Sequence, residues 1–141
     1  MTRGHERAGR IVAAVRACVG VRFRPQGRDA ATGLDCAGLA CVAAAAAGHP
    51  VKALPAYRLD ASGLTARLLS GLASTGVRPV AAAAAAPGDI ALFEVAPDRP
   101  HLAILTDTGL VHAHAGLRRV VEGPADPAWR VVGRYRFPEG D

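Results

Sequence analysis

Pro87-Gly88-Asp89-Ile90-Ala91-Leu92-Phe93-Glu94-Val95 is where the chain changes its periodicity. Proline followed by glycine interrupts the backbone, and the six residues after Asp89 make an apolar segment of strand length. Further segments of the same kind follow at residues 101–105, 110–114, 118–122 and 130–137, divided by Pro, Gly, Asp and Thr. They predict an antiparallel meander. Upstream the spacing is helical instead. Ile11, Val15, Cys18 and Val19 recur on one stripe, with Arg7, Arg10 and Arg16 elsewhere around it, which predicts an amphipathic helix over 6–19. Residues 36–47 are small and helix-favouring, and Gly48-His49-Pro50 ends them. Leu64, Leu68, Leu69 and Leu72 mark a third helix over 61–74. Helices first and strands later indicate an α+β fold, with N-terminal helices packed on a C-terminal antiparallel β-sheet.

Two stretches lack periodicity. Residues 24–34 carry one proline and two glycines and read as a loop, and the tract Ala81–Ala86, held between Pro79 and Pro87, reads as a connection or a short pairing segment. At 141 residues without internal repeats, a single domain over 1–141 is expected.

The formal charge is +5, but 16 of the 17 basic residues are arginine and no block of like charge concentrates them; Arg118-Arg119 is only a pair. A nucleic-acid partner is therefore not expected. The apolar run Ile11–Val15 is cut by Arg16 before it reaches the length of a signal-peptide core, and no run approaches the roughly 20 residues that cross a bilayer. Synthesis in the cytoplasm without a signal peptide, and no membrane insertion, are the expectations. Cys18, Cys36 and Cys41 are odd in number and lack C-x-x-C spacing, which points away from a disulfide framework or a thiolate zinc site. Cys18 falls on the apolar stripe of the first helix, where a packing role is expected.

Cys36 is different, because it stands at a predicted helix start. Unpaired N–H groups and the macrodipole favour a thiolate there, and the same N–H groups are available to an oxyanion. The small neighbours Ala37 and Gly38 leave room for a substrate carbonyl. Asp35 before it suits an N-cap. A thiolate nucleophile needs a base, ideally a histidine held by a third polar group. His5 lies near the terminus and His49 in a turn, leaving His101, His112 and His114 on predicted strands. With Asp107-Thr108 at the tip of a hairpin, Leu105 pairs with Leu110, Ala103 with His112 and His101 with His114. All three histidines then share one sheet face, with His112 roughly 7 to 8 Å diagonally from His101 by backbone. Spacing does not choose between His112 and His114 as partner of His101. A histidine metal site completed by Asp89 or Asp107 uses the same residues.

Four blocks in this order carry a resemblance: Asp35-Cys36-Ala37-Gly38-Leu39, Pro87-Gly88-Asp89-Ile90-Ala91-Leu92-Phe93, His101-Leu102-Ala103-Ile104 and Leu110-Val111-His112-Ala113. Together they resemble the NlpC family of papain-like cell-wall cysteine peptidases. Phe23-Arg24-Pro25-Gln26-Gly27-Arg28 and the stretch from Pro127-Ala128-Trp129-Arg130 to Tyr135-Arg136-Phe137-Pro138 look like the branch found in phage tails and gene transfer agents. Gly20-Val21-Arg22-Phe23 departs from the Gly-Thr-Pro-Tyr or Gly-Thr-Pro-Phe usual in that branch, and Pro25 stands where histidine is common.

The resemblance implies a papain-like NlpC fold, with Cys36 as nucleophile, His101 as general base and acid, and His112 as the residue orienting His101. Asp35 is either a helix cap or a ligand for the free amine of a stem peptide, and Phe23 and His114, the latter without a counterpart in the family pattern, are expected in the substrate pocket. The implied activity is a γ-D-glutamyl-diamino acid endopeptidase acting on peptidoglycan stem peptides without a metal or other cofactor. In that branch the enzyme rides in a phage-like tail, docked on a tail hub or tail fibre protein, and acts in the periplasm or wall of the target cell. A catalytically inactive tail-tip component, and an amidase or acyltransferase of the same fold, are the alternatives.

Overall fold

The computed structural model describes residues 3–49 and 62–138. Its helices are α1 (Arg3–Arg16), α2 (Cys36–Ala46) and α3 (Leu64–Ser74). Its strands are β1 (Arg28–Asp29), β2 (Gly33–Leu34), β3 (Arg78–Pro79), β4 (Ile90–Ala96), β5 (Arg99–Leu105), β6 (Leu110–His114), β7 (Arg119–Gly123) and β8 (Arg130–Arg136). Position 61, the expected start of the third helix, lies outside the described residues. The α+β architecture is as the periodicity predicts. Residues 24–34 are not a plain loop, since β1 and β2 form a small antiparallel pair within them. The alanine tract holds a short 3-10 helix, Ala82–Ala84, between its flanking prolines.

Six strands form one antiparallel sheet in the order β3-β8-β4-β5-β6-β7. The meander is thus incomplete: β4 to β7 follow one another, but β8 returns to the other side and pairs with β4. That return leaves the outer edge of β7 to the segment after α1. Gly20 N–H donates to Val120 O, Val120 N–H to Val21 O and Phe23 N–H to Arg118 O. The same segment then passes the ladder to β2, because Leu34 N–H donates to Arg22 O and Arg24 N–H to Leu34 O. The N-terminal edge of the site is therefore built as a continuation of the sheet.

The core lies between the helices and one sheet face. Ile11 and Val15 of α1, Leu39 and Ala43 of α2, and Leu68 and Leu72 of α3 are buried with Ile90, Leu92, Leu102, Ile104, Val111 and Val120. Helix α2 packs on α1 and also on β5 and β6. Its alanines give it this central place, since small side chains on every side let neighbouring backbones come close. Cys18 is buried and its thiol donates to Ala14 O, as expected for a packing residue. The other sheet face carries a smaller cluster of Ala91, Phe93, Ala103 and Leu110, with Leu105 and Trp129 against it.

Candidate active site

Cys36 is the first residue of α2 and is 5% exposed. Asp35 before it is extended, and its Oδ1 accepts from Gly38 N–H at 2.8 Å, which makes it the N-cap. The same carboxylate accepts from Arg28 Nη1 at 2.7 Å and, through Oδ2, from Gln26 N–H at 2.8 Å. One buried acid thereby ties the β1 hairpin and the loop before it to the start of α2. Gly38 serves this closeness rather than an open approach for substrate. A Cβ added there would run into the carbonyl oxygen of Gly27, so the space beside Gly38 is already filled by the loop.

The ladder sets where this helix start lies on the sheet. His114 pairs with Arg119, Arg119 bridges Arg22, and Phe23 bridges Leu34, two residues before Cys36. Cys36 is thus at the end of the sheet where β6 carries its histidines. It belongs to the same buried cluster as Val111 and Ala113, the two neighbours of His112, and Phe23 packs against that cluster.

The hairpin begins in the expected register, with Leu105 opposite Leu110 and Ile104 opposite Val111, but the expected pairs Ala103 with His112 and His101 with His114 do not form. Pairing of β5 with β6 then lapses. Toward the histidines β5 follows β4, with His101 opposite Phe93, while β6 follows β7, with His112 opposite Val121. The sheet parts between the two strands. Across the gap His101 Nε2 meets His112 Nδ1 at 2.8 Å, with the rings edge-on at 5.0 Å between centroids. Side-chain contact thus selects His112 as the partner of His101. His114 is a further neighbour of His112, 5.6 Å away between ring centroids, and its Nδ1 accepts from Leu117 N–H at 3.0 Å. That bond leaves the proton of neutral His114 on Nε2.

Burial governs the charge of this pair. Desolvation lowers His101 to about 3, assisted by repulsion from His112 and His114, and lowers His112 to about 4, assisted by His114. Both imidazoles are neutral at neutral pH. One nitrogen of the contact must then donate and the other accept. If His101 donates from Nε2, its Nδ1 lone pair is free to act as a base.

Two residues that the sequence reading left without a role complete the surroundings. Trp129 lies 5.1 Å from the His101 ring, 5.5 Å from His112 and 5.4 Å from Phe93, all between centroids. Arg28 is the ion-pair partner of Asp35. As the only tryptophan, Trp129 had a sequence signal of its own, whereas nothing distinguished Arg28 among 16 arginines. The acids offered as completing a metal site are committed elsewhere: Asp89 pairs with Arg136 and Asp107 with Arg16. Among the described residues no three His, Cys, Asp or Glu side chains are arranged to hold a metal ion. No helix among the described residues is long and apolar enough to cross a membrane.

No family model matches the sequence, and no curated protein matches it either. Solved structures do match the fold. The peptidoglycan hydrolase RipB from Mycobacterium tuberculosis superposes with a TM-score of 0.67 at 18% identity, over 99% of this chain and 70% of that one. The NlpC/p60 domain of the peptidoglycan hydrolase SagA gives 0.63 at 21% identity, over 92% of this chain and 98% of that one. The P60 domain of an antigen from M. avium subspecies paratuberculosis gives 0.66 at 16% identity, over 99% of this chain and 100% of that one. Three helices against a six-stranded antiparallel sheet are therefore the papain-like fold of NlpC/p60 domains, as the resemblance implied.

Proposed function

We propose that this chain is a cysteine peptidase that cleaves peptidoglycan stem peptides at the γ-D-glutamyl-diamino acid bond. The observation that carries the reading is the placement of Cys36 at a capped helix start, at the same end of the sheet as the hydrogen-bonded pair His101 and His112. The shared fold with two structures described as peptidoglycan hydrolases supports the substrate class.

Alternation along β5 and β6 puts the histidines on the face away from the helices, while Cys36 starts a helix on the other face. The parting of β5 from β6 is the opening in the sheet through which the proposed chemistry joins the two. Nδ1 of His101 takes the thiol proton as Sγ attacks the amide carbonyl, and the Cys36 N–H helps hold the oxyanion. The tetrahedral intermediate collapses to a thioester, and the His101 imidazolium gives its proton to the leaving amine. A water then attacks the thioester, giving its proton to His101, and Sγ leaves as the thiol is restored. His112 holds the ring of His101 through both halves. Phe23 and His114 line the pocket. Asp35 sets the helix start, and the engagement of both its oxygens by Gly38, Gln26 and Arg28 favours the cap over a ligand for the free amine of the stem peptide. The chain acts in the wall of the target cell, delivered by a phage-like tail and docked on a hub or fibre protein.

Mass spectrometry of digested peptidoglycan tests this. New L-Ala-γ-D-Glu ends are expected. Sugar strands stripped of whole peptides would identify an amidase instead, and no products together with no labelling of Cys36 by thiol probes would leave an inactive tail-tip component.

A further inference from the structure

Strand β8 contains an irregularity that decides which way Trp129 points. Along β4, Leu92 is opposite Gly133, but the next residue, Phe93, is opposite Val131, so Val132 is an extra residue in β8. Without it Phe93 would face Val132, and alternation would put Trp129 on the helix-covered face. With it, positions 129 and 131 move to the face of Phe93 and His101, while Arg130 comes opposite Glu94 and ion-pairs with it on the other face. A bulge re-aims a side chain in this way at the cost of one ladder position. The turn before β8 holds the new direction, since Ala128 N–H donates to Asp126 Oδ1 and Trp129 N–H to Asp126 O.

We infer that Trp129 is a positioning residue for the imidazole pair, aimed by the β8 bulge so that its indole walls His101 and His112 from water and fixes the edge-on contact between them. The inference concerns the same site as the peptidase reading and rests on it for its kinetic consequence only. The indole touches both rings at once and rests on Phe93, which stands opposite His101 on β4. Removing it strips the pair of a ring that packs on the same sheet face. The titratable and charged groups on the elements that carry the pair are His114 on β6, Arg99 on β5 and Arg119 on β7 opposite His114, and the peptidase reading adds Cys36 at the start of α2. Glu94 and Arg130 lie on the other sheet face. Trimming the indole removes none of these groups, so a change in the imidazoles reports the wall itself.

Two effects of an indole on a histidine oppose each other. Exclusion of water favours the neutral ring, whereas the π-face of tryptophan favours the charged one. The inference assigns the indole the first effect, the direction in which burial already lowers both histidines. The test is an NMR titration of ring-labelled histidines in the full chain, wild type against Trp129→Ala and Trp129→Leu. In Trp129→Ala both imidazoles are expected to move up toward about 6.5 by roughly a unit or more. Trp129→Leu, which keeps apolar bulk and guards against a collapsed fold, should move them less. Unchanged titrations, or a shift further down, would overturn the inference. In turnover, the Ala variant should lose roughly 10- to 100-fold in kcat with little change in KM, and its acid limb should move to higher pH. The titration needs no turnover, so a wild-type chain that cleaves nothing would remove the peptidase reading and leave this result standing.

Discussion

His101 Nε2 lies 2.8 Å from Nδ1 of His112, although the two residues are not opposite one another in the sheet. The contact exists because β5 and β6 separate just beyond Ile104 and Val111, which turns a diagonal neighbour into a hydrogen-bonding partner. With both rings neutral, a proton on Nε2 of His101 leaves Nδ1 as the only basic nitrogen of that ring.

Replacement of His112 should therefore act on turnover rather than on binding. His112→Ala is expected to lower kcat about 10²- to 10⁴-fold with KM nearly unchanged, and His112→Asn, which keeps an acceptor near Nδ1, should recover part of the loss. His114→Ala should leave kcat within about tenfold. Steady-state kinetics on a purified muropeptide decide it; equal losses at the two positions would remove the special status of His112.

Asp35 should govern stability first. It caps α2 and neutralises Arg28 from a position only 4% exposed in its side chain, so Asp35→Ala leaves three donors without their acceptor. A loss of about 2 to 4 kcal/mol in urea unfolding is expected, with Asp35→Ser, which restores the cap alone, between the two. Equal stability of wild type and Asp35→Ala would show that the loop and helix do not depend on this acid.

The histidines also set a pH dependence of folding. Their folded values, about 3 and about 4, lie below the roughly 6.5 of an unfolded chain. Between those limits the unfolded state binds more protons, so stability is complete above about 6.5 and falls as pH falls. A slope of about 1 to 2 kcal/mol per pH unit is expected between pH 6.5 and 4.5. Glu122, held down to about 2 chiefly by Arg16, keeps its contribution through this window and loses it only as pH falls below about 4.5. Urea unfolding at stepped pH should show the slope, and His101→Gln with His112→Gln should flatten it.

Much of this was legible in the chain. Period and punctuation placed the three helices and the strands from Ile90 onward, and the tip at Asp107-Thr108 predicted the β5–β6 register and the common face of the histidines. What stayed out of reach depends on distant backbone. The lapse of pairing after Ile104 and Val111 follows from each strand's other neighbour, and no local pattern announces it. Likewise the return of β8 to β4 and the extra residue at Val132 are products of the assembled sheet, so Trp129 had no visible role. In the sequence, Ala37 and Gly38 read as room for a substrate carbonyl at the backbone. In the fold, Gly38 is needed because the Gly27 carbonyl occupies that space.

The central claim is that the thiol of Cys36 is the nucleophile, with His101 as its base. Its most direct measurement is the release of soluble peptide from purified peptidoglycan by wild type, Cys36→Ala and His101→Ala, each first shown to unfold cooperatively at a similar temperature. Steady release by the wild type, with at least about a 10³-fold loss in both variants, is predicted. Release by Cys36→Ala at a rate near that of wild type would contradict it.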